Sequence, residues 1–174
     1  MKKLWLLIAL VVVSLAAPAL AQEKRTITVA TDATWPPFEF VDENKALVGF
    51  SVEYMQAAAA EGGYEIKIIN AAWDGIFAGL VNKQYDAICS SVTITDDRKK
   101  TMDFSDPYFT VSQAVLVPQS SSVKALEDLK GKTAGSQIGT TGTFAIDKIG
   151  GVTSKTYDEV GLAVEDLYDG RLDA

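Results

Sequence analysis

Residues 64–90 read YEIKIINAAWDGIFAGLVNKQYDAICS. Tyr64 to Asn70 has the β-branched, extended character of a strand, and Trp73 to Val81 sets Trp73, Ile76, Phe77 and Leu80 at helical spacing. Tyr85 to Ser90 then returns as a strand. Strand, helix, strand in this order favours an α/β sheet with right-handed crossovers. Ligands of such sheets sit beyond the carboxyl ends of the strands, so the residues that follow each strand are the ones to inspect.

The same alternation extends both ways. Upstream, Thr26 to Thr31 (TITVAT) reads as a first strand running into the loop Asp32 to Pro37, stiffened by two prolines, before Phe38 to Val41 extends again. Asp42 to Lys45 reads as a turn, and Ser51 is expected to cap a helix through Ala60 that Gly62-Gly63 ends. Downstream, the apolar run Ala114 to Val117 stops at Pro118 and is followed by polar Gln119 to Ser122, as in a segment crossing between two units. A second α/β pattern then unfolds. A short helix near Ala125–Leu129 leads to a strand near Lys132–Ser136, a turn at Gly139–Thr143 and a helix to Ile149. A strand at Val152–Tyr157 and a helix from Asp158 to about Asp169 complete it, and Leu172-Asp173-Ala174 reads as the entry to one more strand.

The first 21 residues carry Lys2 and Lys3, an apolar run from Leu4 to Leu15 broken by Ser14, and the small-residue ending Ala19-Leu20-Ala21. That order is a cleavable secretory signal peptide, too short for a membrane span, and no cysteine follows it to carry a lipid. The product is expected in the periplasm. Setting Lys2 and Lys3 aside leaves 14 basic against 23 acidic residues, a net of −9, which argues against nucleic-acid binding. The chain has no His, so His-based acid/base work, Ser-His-Asp and Cys-His pairs and most zinc sites fall away. Neither cofactor nor metal is called for. The single cysteine, Cys89, cannot form an internal disulfide and reads as a small buried apolar residue.

The densest polar cluster, Ser90-Ser91-Val92-Thr93-Ile94-Thr95-Asp96-Asp97-Arg98, follows a strand end. Arg98 there can present a planar fork of donors to a carboxylate; alternatively Thr95 or Asp96 caps a helix and Arg98 is a solvated first-turn residue. Gly139-Thr140-Thr141-Gly142-Thr143 opens a helix whose free N–H groups favour an anion, and it lacks the Lys-Ser/Thr pair of a phosphate loop, leaving a carboxylate or an ordinary turn. Trp35 and Trp73 each stand at a strand exit, as pocket walls or as packing. Asp32 either accepts from a ligand's polar or cationic end or forms an Asx-type turn.

Taken together, the strings ATDATWPPFEF (30–40), VGFSVE (48–53), WDGI (73–76), TITDDR (93–98), MDFSDPY (102–108), DLKGK (128–132) and GTT (139–141) occur in the order found in the bacterial periplasmic amino-acid-binding proteins that feed ABC importers. The chain resembles their glutamine-, histidine- and lysine/arginine/ornithine-binding members. The resemblance implies a two-lobed type II periplasmic-binding fold: residues 22–113 in lobe 1, 114–118 as the hinge crossing and 119–174 as a partial lobe 2. It also implies a monomer that closes over a free L-amino acid and docks on ABC permease subunits. Arg98 would take the α-carboxylate, with Ser91 and Thr93 adding hydrogen bonds and Ser90 lining the site nearby. Thr140 and Thr141 would reach across from lobe 2. Trp35 and Trp73 would flank the side chain, and Asp32 would meet its far end, favouring glutamine or a basic amino acid such as arginine.

Two departures stand out. Ser51 replaces an Asp common in the family, on a helix away from the pocket. The family's ammonium-binding Asp lies beyond a Gly-Arg-x-Asp-Ala segment, which here is residues 170–174, so both lobes are expected to be incomplete and Asp173 takes no ligand role. A chain ending there is expected to bind weakly and melt poorly, because apolar faces stay exposed. The rival readings are a dehydratase of the cyclohexadienyl type on the same scaffold and the sensor module of a receptor.

Overall fold

The computed structural model describes residues 24–174; the expected signal peptide lies outside them. β1 (Thr26–Thr31) is the middle of a parallel three-stranded sheet, flanked by β5 (Glu65–Asn70) and β6 (Ala87–Ile88). In register Ala30 faces Ile69 on one side and Ile88 on the other, so all three strands end at one rim. A small antiparallel sheet joins β2 (Thr34–Trp35), β3 (Glu39–Val41) and β4 (Leu47–Val48). A separate parallel pair, β7 (Thr133–Gln137) and β8 (Thr153–Tyr157), lies in the C-terminal part. The α/β class is therefore the one that the alternation of residues 64–90 predicts.

Among the described residues, four α-helices accompany the strands: α1 (Phe50–Glu61), α2 (Ile76–Val81), α3 (Thr141–Ile149) and α4 (Val160–Tyr168), with 3-10 turns at Arg98–Lys100 and Leu126–Leu129. Ser51 does not cap α1. The cap is Gly49, whose φ of 121° only glycine adopts easily and where a side chain would run into the Phe38 carbonyl. The Ser51 N–H is already bonded to that carbonyl at 2.9 Å, and the helix begins two residues earlier than its capping signal suggests. Likewise α2 starts at Ile76 rather than Trp73, because Gly75 takes a left-handed conformation that turns the chain and frees Trp73 to enter the core. Tyr85 also leaves its expected strand: it packs under α2 and donates its hydroxyl to the Ile76 carbonyl.

Apolar burial explains the association of these elements. Ala30, Trp73, Ile76 and Tyr85 form one cluster, extended by Ile69, Phe77, Leu80 and Ile88, and Ala163, Leu167 and Leu172 form a second beside Tyr157. Residues 109–117 carry no regular secondary structure, and Phe109, Val111, Val115 and Leu116 are exposed. Leu172–Ala174 runs along β7, with the Asp173 N–H bonded to Thr133 O at 2.9 Å and the Gly135 N–H to Ala174 O at 2.9 Å.

Candidate ligand-binding site

The rim at the ends of β1, β5 and β6 gathers Asp32, Trp35, Trp73, Ser90 and Ser91, and the turn after β7 faces it with Thr140 and Thr141. Polar contacts join the two parts. Trp35 Nε1 donates to Gln137 Oε1 at 2.8 Å, Gln137 Nε2 donates to Asp32 Oδ2 at 2.8 Å, Arg98 Nη2 donates to Gly139 O at 3.3 Å, and the Thr93 and Thr141 hydroxyls lie 3.4 Å apart.

Arg98 is the central charge. Its guanidinium lies 5.0 Å from the centre of the Phe77 ring and 5.6 Å from that of Trp73, a cation–π shelf, while Nη1 donates to Thr93 O at 2.8 Å. Burial pulls the group below its ordinary value, yet a guanidinium stays charged in any protein setting. The nearest acid in sequence, Asp97, is taken by Lys100 at 2.6 Å, and among the described residues no carboxylate pairs with Arg98. The Thr95 hydroxyl accepts the Arg98 N–H at 3.2 Å, but the cap residue of the 3-10 turn is Asp97, which makes no side-chain cap bond, so neither Thr95 nor Asp96 is the cap that the alternative reading expects. The Arg98 side chain is also half-buried over two rings rather than solvated.

Around it, the predicted residues divide by what their polar atoms already do. Ser91 is exposed with φ 47°, a left-handed conformation unusual for a non-glycine residue, and Thr93 presents its hydroxyl toward Thr141. Ser90 is buried and its hydroxyl accepts the Asp32 N–H at 2.8 Å, fixing one loop against the next. Thr140 caps α3, accepting from the Thr143 N–H at 3.4 Å and donating to Gln137 O at 2.8 Å; Thr141 accepts from Gln113 Nε2 at 2.9 Å. Trp73 is 7% exposed and belongs to the core while its ring also floors Arg98. The carboxylate of Asp32 is bonded by the Thr34 hydroxyl at 3.0 Å and by Gln137, and it lines a cleft of about 340 Å³ with Ala72, Trp73, Asp74, Asp158 and Glu159. That cleft holds four carboxylates and no basic residue.

Three participants escape sequence reasoning. Gln137 stands at the end of β7, directly ahead of the Ile138-Gly139 turn, and a buried amide in that place is its only signal. Phe77 reads there as core, and its second face under Arg98 shows only in three dimensions. Glu39 alternates with Phe38 and Phe40, which suggests an outward side chain, but it is 0% exposed and neither carboxylate oxygen has a hydrogen-bond partner. Desolvation pushes its carboxyl up, reinforced by Asp32, with the neighbouring Ser51 and Ser91 hydroxyls offsetting only part. Cys89 is buried, and that burial lifts its thiol to about 11, as suits the inert apolar reading. Among the described residues no acidic or sulfur cluster is arranged for a metal, and no helix is long and apolar enough to cross a membrane.

Residues 27–166 match the family model of the bacterial extracellular solute-binding proteins, family 3. The chain belongs to this family. Among curated relatives, a probable histidine-binding protein of Neisseria gonorrhoeae is 40% identical over 163 residues, covering 91% of this chain and 60% of that protein. An ancestral arginine-binding protein bound to arginine superposes with a TM-score of 0.83 at 41% identity, covering 86% of this chain and 68% of that one. An ancestral arginine-binding protein bound to glutamine gives a TM-score of 0.82 at 41% identity, with the same coverage of 86% and 68%. The family-3 chain thus has the type II periplasmic-binding fold that its motifs imply. It spans about three fifths of the length of the curated relatives it matches.

Proposed function

We propose that this family-3 chain captures a polar L-amino acid, glutamine or a basic amino acid such as arginine, for import by an ABC transporter. The observation that carries the reading is Arg98, a half-buried guanidinium on an aromatic shelf with no carboxylate of the described residues against it. A buried ligand carboxylate is tolerable only when paired and hydrogen-bonded, and Arg98 with Ser91 and Thr93 supplies both. The four acidic residues that line the cleft suit a cationic or amide-bearing side chain at the other end, with Trp73 in the same lining and Trp35 proposed to flank it. Relatives whose structures hold arginine and glutamine support the same range.

In this reading lobe 1 comprises residues 22–113, the hinge crossing 114–118 and lobe 2 the chain from 119 on, with Thr140 and Thr141 reaching the ligand from lobe 2 on closure. A signal peptide at residues 1–21 exports the protein to the periplasm, where it meets permease subunits as a monomer. A dehydratase would need a proton donor of raised pKa open to substrate. The carboxyl that burial raises, Glu39, is sealed from the cleft, and this favours binding over catalysis. A thermal-shift screen of the twenty amino acids on the full-length protein tests the proposal. Stabilisation by arginine, lysine or glutamine is expected, and indifference to all twenty would overturn it.

A further inference from the structure

Glu39 is fully buried and neither carboxyl oxygen has a hydrogen-bond partner, a costly state for a group in the middle of β3. The polar groups around it supply protons in one direction. The Cys89 thiol donates toward the Tyr108 hydroxyl at 3.7 Å and toward the Ser51 carbonyl at 3.9 Å, and the Tyr108 and Ser51 hydroxyls lie 3.2 Å apart. Burial lifts the thiol to about 11 and the phenol to about 12, so both keep their protons at neutral pH. A Tyr108 that accepts from the thiol has its own proton for Ser51, and Ser51 then has its proton for the Glu39 carboxyl beside it. The other hydroxyl beside that carboxyl belongs to Ser91, which is exposed and held at φ 47°. Backbone strain of this kind persists where the surroundings hold it, and it gathers at binding sites.

We propose that Glu39 is a positioning residue of ligand capture: its carboxyl accepts from Ser51 and donates its own O–H to Ser91, which turns the Ser91 proton toward the ligand's α-carboxylate. A serine has one proton to give. An ionised Glu39, acceptor on both oxygens, would draw that proton inward and leave Ser91 to meet the ligand with lone pairs, oxygen against oxygen. A neutral Glu39 sends it outward. Desolvation above all favours the neutral form, and Asp32 adds to it. The titratable groups that face Glu39 are Asp32 from the loop after β1, Cys89 after β6 and Tyr108 ahead of residues 109–117. The two flanking hydroxyls stand short of bonding geometry, as bonds in an empty site commonly do before a ligand tightens them. The role rests on the reading of Ser91 as a contact of the ligand's carboxylate, and the experiment separates the two.

The test is calorimetric titration of the full-length protein with L-arginine and L-glutamine, comparing Glu39→Met and Glu39→Gln, each with and without Ser91→Ala. Glu39→Met keeps the bulk but removes the donor, and it is expected to raise Kd about threefold to tenfold. Glu39→Gln restores the affinity, because its amide N–H donates to Ser91 and its carbonyl accepts from Ser51. On Ser91→Ala neither substitution should change Kd further. The effect should be equal for the two ligands, since it acts at the α-carboxylate they share. Wild-type Kd should also rise relative to that of Glu39→Gln between pH 5 and pH 9, as Glu39 ionises and its proton is lost to Ser91. That comparison decides the matter should Glu39→Met fail to fold, and a constant ratio would then overturn the role. A merely structural Glu39 would lower the melting temperature of Glu39→Met with the same penalty in Kd whether or not Ser91 is present, and that result too would overturn the role. A wild-type protein that binds neither amino acid would instead sink the binding reading, and the role of Glu39 with it.

Discussion

The Cζ of Arg98 sits 5.0 Å from the centre of the Phe77 ring, on the first turn of α2. The helix that closes the hydrophobic core is thus also the platform for the one charge the site depends on. A ring face supplies attraction without competing for the guanidinium's donors, which stay in the plane for oxygen acceptors.

Phe77→Leu should therefore weaken amino-acid binding by about 0.5–2 kcal/mol, roughly a 2- to 30-fold rise in Kd. The same substitution placed on Arg98→Ala should add little, since the cation is gone. Equal penalties in both backgrounds, measured by calorimetry, would mean that Phe77 only packs.

Glu39 gives the protein a pH signature. Its folded value lies above the ordinary 4.5, so the unfolded chain releases its proton first as pH rises. The cost is absent below about pH 4.5 and grows through the folded value. Glu39→Gln, which cannot ionise, should melt progressively higher than the wild type across that window and run parallel to it at lower pH. Parallel melting curves at all pH values would show that Glu39 is not held protonated.

Cys89 should resist iodoacetamide in the native protein near pH 8, because its thiol is buried and lifted to about 11. Unfolding in guanidinium chloride should expose it to rapid alkylation. Fast labelling of the folded protein, followed by mass spectrometry, would count against the packing around β6.

The strands TITVAT and YEIKIIN were legible in the sequence because alternation and β-branching are local signals, and the structure pairs these two segments in parallel, whereas β2 lies within the segment that reads as the loop Asp32–Pro37 and β4 carries no such signal. The motif series also pointed to the family and hence to the type II fold. Ser51 misled because capping preference is judged from side chains, whereas Gly49 is required by the approach of the Phe38 backbone, which the side-chain signal does not carry. Glu39 and Gln137 were invisible for a related reason: each is polar and buried only because a distant segment covers it, Tyr108 and Ser51 lying near the first and Trp35 bonding the second. Arg98 could be singled out beforehand, but its position above Phe77 and Trp73 required the fold.

The most direct test is calorimetric titration of the full-length protein with L-arginine and L-glutamine, beside Arg98→Ala and Arg98→Lys. Removing the guanidinium should cost about 2–5 kcal/mol, and the lysine variant should recover only part of it because an ammonium cannot form the planar fork. Wild-type affinity in the alanine variant would contradict the assignment of the ligand carboxylate to Arg98.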